Sequence, residues 1–433
     1  MAEPLKNYFG PAVPARIASM IKQVDRTFAA DAFLADALDG YQALELTPRA
    51  WQIARALGRH LPQNYERAIE ILIASIGPKL EVAELTGMDV FVYSPHVFFV
   101  AEFGVDHFEA SMRAQYELTQ RFTAEYSIRV FIERYPQQTL ARLQEWALDP
   151  NVHVRRLVSE GTRPRLPWAP RLRAFQVDPR PVLELLELLK DDSELLVRRS
   201  VANNLNDIGK DNPAALIDTC RRWARDATAE RGGLVRHALR SAVKQGEPEA
   251  LQILGFVPAT GVRAREIQIT PAVASIGQSV TFTVELVNEG TVSKQLLVNL
   301  RVHFMKASGR PSPKVFTVKE LELGPGGSAQ FLKTISLAQH TTPHPLSRAP
   351  SCGGSGEWPG ERGWRIRCRR RKPRLASLII CIVGRRAGRG SCVTATGPEQ
   401  SACREWLAGG MRATRASRTF GVAWPTMAMR LQT

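Results

Sequence analysis

A chain of 433 residues, 44% hydrophobic and 23% charged, has room for two or three domains with apolar cores. Its formal charge of +16 invites a nucleic-acid reading, yet residues 341–433 hold 17 Lys and Arg against 4 Asp and Glu, which leaves 41 against 38 in residues 1–340. A body so close to neutrality excludes a function built on bulk basicity, so any contact with nucleic acid must come from local charge.

Met1–Gly10 is polar and lacks the apolar centre of a secretory signal. No run of about 18 apolar residues marks a membrane span. With Cys220 as the one cysteine ahead of the tail, the expectation is a soluble cytoplasmic protein whose body needs no disulfide. Residues 1–256 then read as helix almost throughout. Apolar residues recur every three to four positions over Pro14–Val24, Ala29–Ala43, Pro48–Leu57, Tyr65–Ile76, His107–Tyr135 and Gln138–Ala147. Gly58, Pro62, Gly77–Pro78, Pro136 and Pro150 punctuate them. Phe98 and Phe99 are expected in the core. Glu125 falls inside the longest of these helices between Phe122 and Tyr126, either as an exposed helix glutamate or as an acid set among aromatics.

The later helices repeat. Asp149–Asn151 leads into Val154–Arg156, and Asp191–Ser193 leads into Val197–Arg199, 43 residues on; Leu234–Arg236 is a fainter copy with its valine 38 residues later. Such periods, each with a polar start followed by valine and arginine, predict HEAT-type helix pairs stacked into a solenoid with a concave face. The repeated arginines, Arg155 and Arg199 among them, either bond a neighbouring turn's aspartate or meet phosphates. Between the first two copies lies the most suggestive stretch, Ser159–Trp168. It sets Glu160, Arg163, Arg165 and Trp168 within ten residues, and Pro164 and Pro167 bar a continuous helix. An acid, cations and a stacking surface on a stiff loop suit chemistry on nucleic acid. The plainer alternative is a tight connection in which Glu160 pairs internally with an arginine. Further on, Asn203, Asn204, Asn206 and Asp207 crowd Val201–Ile208, where short polar side chains would also serve as helix caps.

After Gly255–Gly261 the period changes to two. Ala264–Thr270, Ser279–Asn288, Gln295–Met305, Lys314–Leu323 and Ser328–Leu337 read as five strands of an immunoglobulin-like sandwich, a fold that usually has about seven. Domain bounds of 1–256, 262–340 and 341–433 follow. The last segment breaks in composition: it holds five of the six cysteines and four tryptophans but no tyrosine and no aspartate. It reads either as a disordered basic arm or, the favoured reading, as a tail translated in a shifted frame. Read one nucleotide later, the codons of Glu357–Pro359 give Asn or Ser followed by Gly, a hairpin turn after an alternating strand, which would supply the missing pair. The tail cysteines match no common zinc spacing. No Walker loop, G-x-G-x-x-G, H-E-x-x-H or G-x-S-x-G is present, and His107, His153 and His237 do not fall at ligand spacing.

Four segments, Pro4–Gly10, Leu118–Tyr126, Ser159–Trp168 and Ser200–Ile208, carry a resemblance. Through them residues 1 to about 340 resemble the AlkC family of bacterial DNA alkylation repair glycosylases, in the HEAT-like superfamily that includes AlkD. The resemblance implies a mainly α protein: a HEAT-like α-helical solenoid followed by an immunoglobulin-like β-sandwich, incomplete here. It implies excision of cationic 3-methyladenine and 3-methylcytosine by hydrolysis of the N-glycosidic bond, a reaction that need not flip the base into a pocket. Glu125, Glu160, Trp168 and Asp207 match the family's active-site positions, with Asp207 handling water and Trp168 stacking on the cation. Arg155, Arg163, Arg165, Arg199 and Asn203 are the candidate phosphate contacts. The implied partner is double-stranded DNA with alkylated bases, bound by a monomer with no metal, no cofactor and no Schiff-base lysine. The rival expectation is a non-enzymatic HEAT-repeat scaffold that binds DNA or protein.

Overall fold

Short polar side chains start several of the helices. Asn64 accepts the backbone N–H of Arg67 (2.8 Å), and Asn151 accepts those of His153 and Val154 (2.9 and 3.4 Å). The structure, a computed structural model, describes residues 5–80, 89–271, 274, 278–305, 311–336 and 375–385. It divides into two compact units, Met1–Arg240 and Ser241–Thr433. The first is helical: α1 (Ala12–Val24), α2 (Ala30–Leu38), α3 (Leu46–His60), α4 (Tyr65–Ser75), α5 (Ser94–Phe103), α6 (Phe108–Thr119) and α7 (Ser127–Arg134). There follow α8 (Pro136–Trp146), α9 (Val152–Gly161), α10 (Arg173–Val177), α11 (Arg180–Leu189), α12 (Leu195–Ile208), α13 (Pro213–Trp223) and α14 (Ala229–Ala238). Phe98 and Phe99 are buried, as expected. Among the described residues no helix is long and apolar enough to cross a membrane.

The single helix expected over His107–Tyr135 is broken. Between α6 and α7 the chain turns through Gln120–Tyr126, so Glu125 lies in a turn and not inside a helix. The cause is local: the Thr123 hydroxyl accepts the Glu125 N–H (3.2 Å) and donates to its carboxylate (2.9 Å), offering the backbone an alternative to the helical bond. Arg121 fixes the break by donating to the Gly77 carbonyl (2.6 Å).

The repeat is visible in bonds as well as in letters. Arg155 Nη1 donates to the carbonyls of Asp149 and Pro150 (2.9 and 3.0 Å), and Arg198 Nη1 donates to those of Asp192 and Ser193 (2.6 and 2.7 Å). Arg155 also grips the Asp192 carboxylate with Nε and Nη2 (2.6 and 3.1 Å), and Arg231 holds Asp191 with the same two groups (2.5 Å each). Arg155 therefore shows the structural alternative: its guanidinium ties one repeat to the next. Under this ladder, α9 buries Val154, Leu157 and Val158, α11 buries Val182, Leu185, Leu186 and Leu189, and α12 buries Val197, Val201, Leu205 and Ile208. At about 1.5–3 kcal/mol for each fully buried aliphatic side chain, this packing outweighs the polar ladder, which sets register more than stability. Gly161 lets α9 approach α7, since a Cβ there would stand 2.6 Å from Ile128 Cγ2.

A short helix, α15 (Arg240–Gln245), begins at the last residue of the first unit; in the second unit α16 (Pro248–Ile253) precedes β1 (Phe256–Pro258), β2 (Val262–Thr270), β3 (Ser279–Asn288), β4 (Lys294–Met305), β5 (Pro311–Leu323), β6 (Ser328–Ser336) and β7 (Leu375–Arg385). One sheet has the order β1-β7-β4-β5 and the other β2-β3-β6, with every pairing antiparallel. In β3, buried Val280, Phe282, Val284 and Leu286 alternate with more accessible residues, the pattern of a strand with one face in the core. Val284 and Leu286 join Leu296 and Val298 of β4, Leu323 of β5 and Phe331 of β6 in a core shared by both sheets. The five expected strands are all present. The two that complete seven are β1 and β7, and β7 comes from the segment read as a tail. The shifted-frame hairpin and Cys352, Cys368, Cys392 and Cys403 lie outside the described residues.

Candidate functional site

Two helices end on acids. Glu160 is the penultimate residue of α9 and Asp207 the penultimate residue of α12, and they are only 6% and 1% exposed. A helix C-terminus carries partial negative charge, so a carboxylate there is disfavoured unless a cation answers it. One guanidinium answers both. Arg163 donates from Nη1 to Glu160 Oε1 (2.6 Å) and from Nε to Asp207 Oδ2 (2.8 Å), with Nη2 also 2.8 Å from Asp207 Oδ2. The pairing of Glu160 with an internal arginine, foreseen as the plainer alternative, is thus real, and it extends to a second acid. Arg163, expected as a phosphate contact, is buried and bridges the two carboxylates.

Further partners close the network. Ser200 Oγ donates to Glu160 Oε2 (2.5 Å), and Lys210 Nζ donates to Asp207 Oδ1 (2.7 Å). Arg156 Nη2 lies 3.2 Å from Glu125 Oε2 and 4.0 Å from Glu160 Oε1, which brings the third acid into the group. Burial works to raise the Glu160 carboxyl, but Arg156, Arg163 and the Ser200 hydroxyl outweigh it and hold the group below the usual carboxylate range. Burial likewise opposes the charge on Arg163, and Glu160 and Asp207 outweigh it in turn. Both members therefore stay ionised at neutral pH.

The short polar run on α12 is not a cap. Asn204 Nδ2 donates across to the Ser159 carbonyl (2.8 Å) and to Thr162 Oγ1 (3.0 Å), and Ser159 Oγ donates to Ser200 Oγ (2.7 Å). These bonds hold the ends of α9 and α12 in register, and with them the two acids. Asn203 Oδ1 instead accepts from Arg240 Nη2 (2.9 Å) and bonds His237 Nε2 (3.0 Å).

Beyond α9 the loop through Trp168 is anchored at both ends. Arg129 donates to the carbonyls of Gly161 (3.0 Å), Arg163 (2.7 Å) and Pro170 (2.5 Å). Burial lowers this guanidinium to about 10, which leaves it charged at neutral pH. Arg165 pairs with Asp211 through Nε (2.7 Å) and Nη2, so it too is engaged within the protein. On this fixed loop Trp168 is 78% exposed and has φ of +64°, a left-handed conformation that a bulky residue rarely adopts. An aromatic held out in water on a strained backbone suits stacking on a ligand. Arg199 is exposed on α12.

The sequence did not single out Arg129, Ser200, Lys210 or Arg156 as parts of this site. Arg156 and Lys210 stood in plain view, four residues before Glu160 and three after Asp207, a helix-face spacing that pairs charges. Arg129 carried no such signal, because its partners are carbonyls of a distant loop. Among the described residues no group of three or more His, Cys, Asp or Glu is placed to hold a metal ion.

Three comparisons bear on this arrangement. Residues 263–345 match the family model of the C-terminal Ig-like domain of the uncharacterised protein YhaZ. YhaZ of Bacillus subtilis (strain 168) is 30% identical over 305 residues, 70% of this chain and 82% of that protein. Among solved structures, the Pseudomonas fluorescens alkylpurine DNA glycosylase AlkC, bound to DNA containing an abasic site analog, is 34% identical with a TM-score of 0.72. That likeness covers 79% of this chain and 93% of the other.

Proposed function

The chain belongs to the AlkC-type family of HEAT-like DNA alkylation glycosylases, and on that premise we propose that it removes cationic N3-methylated bases, 3-methyladenine and 3-methylcytosine, from double-stranded DNA. The observation that carries the reading is the pair of dry carboxylates on the C-terminal turns of α9 and α12. Helix dipole and formal charge there have the same sign, so the pair favours a cation.

A methylated base that already carries positive charge leaves as a neutral molecule and needs no general acid. The C1′–N bond breaks with its electrons going to the base, and the developing positive charge on the sugar is what the site must stabilise. Glu160 and Glu125 supply negative charge to sugar and base, and Asp207 orients the water whose oxygen bonds C1′ and takes up the proton that this water loses. Trp168 covers the cation with its ring face, a contact of about 0.5–2 kcal/mol depending on desolvation. Exposed Arg199 remains a candidate phosphate contact, with Asn203 beside it.

The test is product analysis. The full chain is incubated with a duplex holding one 3-methyladenine or 3-methylcytosine, with and without borohydride. The expected products are free methylated base and an alkali-labile but unbroken strand, with no protein–DNA adduct trapped. A trapped adduct would replace water with a lysine nucleophile, and no release from either duplex would move the chain to the class of non-enzymatic binders.

A further inference from the structure

The charge count around the acids raises a difficulty for the reading above, on which the following rests. Three carboxylates, Glu125, Glu160 and Asp207, are met by three cations, Arg156, Arg163 and Lys210. A cluster closed in this way offers little net negative potential to a cationic sugar. In addition, the Asp207 side chain is only 1% exposed, with Oδ2 taken by Arg163 and Oδ1 by Lys210. With a cation on each oxygen and almost no exposed surface, Asp207 is opened to a ligand most directly by withdrawal of one cation.

The three differ sharply in how easily they leave. Arg163 is 11% exposed at its side chain and spans two acids, and Arg156 is 20% exposed and lies against two. Lys210 is 43% exposed and holds a single oxygen. It stands just beyond the end of α12, in a turn, on a flexible four-carbon stem. An ammonium is a point charge without the two-pronged grip of a guanidinium, so it exchanges one oxygen anion for another with little loss of geometry. Duplex DNA brings a dense line of such oxygens.

We propose that Lys210 is a displaceable counter-ion: it caps Asp207 in the free protein and, when DNA binds, moves to a backbone phosphate and leaves Asp207 Oδ1 open to the lesion. Lys210 is then a positioning residue that couples backbone binding to exposure of the acid. The coupling keeps the buried carboxylate neutralised until a cationic substrate is at hand.

The test uses the full chain, its Lys210→Met and Lys210→Arg variants, and Asp207→Asn as reference. Single-turnover release of 3-methylcytosine at saturating duplex is measured beside affinity for an abasic-analogue duplex across salt concentrations. The proposal expects Lys210→Met to bind several-fold more weakly, with a log–log salt slope smaller by about one, while its saturating rate stays far above that of Asp207→Asn. Lys210→Arg should keep the salt slope and release base more slowly, since a fork on Asp207 is harder to displace. A Lys210→Met rate that falls to that of Asp207→Asn would make Lys210 a support of the acid and overturn the proposal. So would an unchanged salt slope. A folded wild-type chain that releases no base would remove the glycosylase reading, and this proposal with it; the other two outcomes leave that reading standing.

Discussion

Removing Arg163 would leave Glu160 and Asp207 buried at adjacent helix ends without the cation they share, and breaking such a buried ion pair typically costs about 3–5 kcal/mol. The loss must depend on pH. Because the Glu160 carboxyl is held below its ordinary value of 4.5, its pairing adds stability that is fully present above about that pH. That contribution is lost as pH falls through the lower value of the folded state. Arg163→Met should therefore be strongly destabilised in urea melts at pH 7, and the gap from wild type should narrow below pH ~4. A gap that is constant or grows with acid would mean that Arg163 acts through packing alone. This part of the site was half legible from the chain. Glu160 and Arg163 stand three apart, which made their pairing one of two readings, whereas the reach of Arg163 to Asp207, 44 residues on, needed the fold.

At the scale of elements, the connection from Thr162 to Leu172 does what no helix could. Pro164 and Pro167 announced a stiff loop, and the chain delivers one, pinned by Arg129 and by the Arg165–Asp211 pair. The left-handed backbone at Trp168 could not be read in advance, since tryptophan is a poor candidate for that conformation. Trp168→Gly tests its purpose. Glycine accepts the conformation freely but adds unfolded-state entropy, so stability should stay within about 1 kcal/mol of wild type. Base release should nonetheless drop by about tenfold, the worth of one stacking contact near 1.4 kcal/mol. Loss of stability with release unchanged would make Trp168 a structural residue. The break before α7 taught the opposite lesson about periodicity. Apolar spacing ran unbroken across Gln120–Tyr126, while a single threonine hydroxyl bonding Glu125 decided the turn and so set where that acid points.

For the whole molecule, repeats and alternation were the strongest signals. Periods near 40 foretold a solenoid, and Arg155 and Arg198 repeat the same carbonyl bonds 43 residues apart. Period two foretold five strands, and β4 also pairs with β7, a strand from the segment whose composition breaks from the rest of the chain. Net charge was the poorest guide, because the ionic groups that matter are buried and nearly balanced. Glu160 and Asp207 are proposed to form one cation-stabilising site. Its most direct test is the single-turnover rate of methylated-base release by the wild-type chain, by Glu160→Gln and by Asp207→Asn, all first shown to melt cooperatively. The wild type is expected to release base and each variant to fall by about a hundredfold or more, the scale of losing a preorganised electrostatic contact. Wild-type release no faster than that of the two folded variants would contradict it.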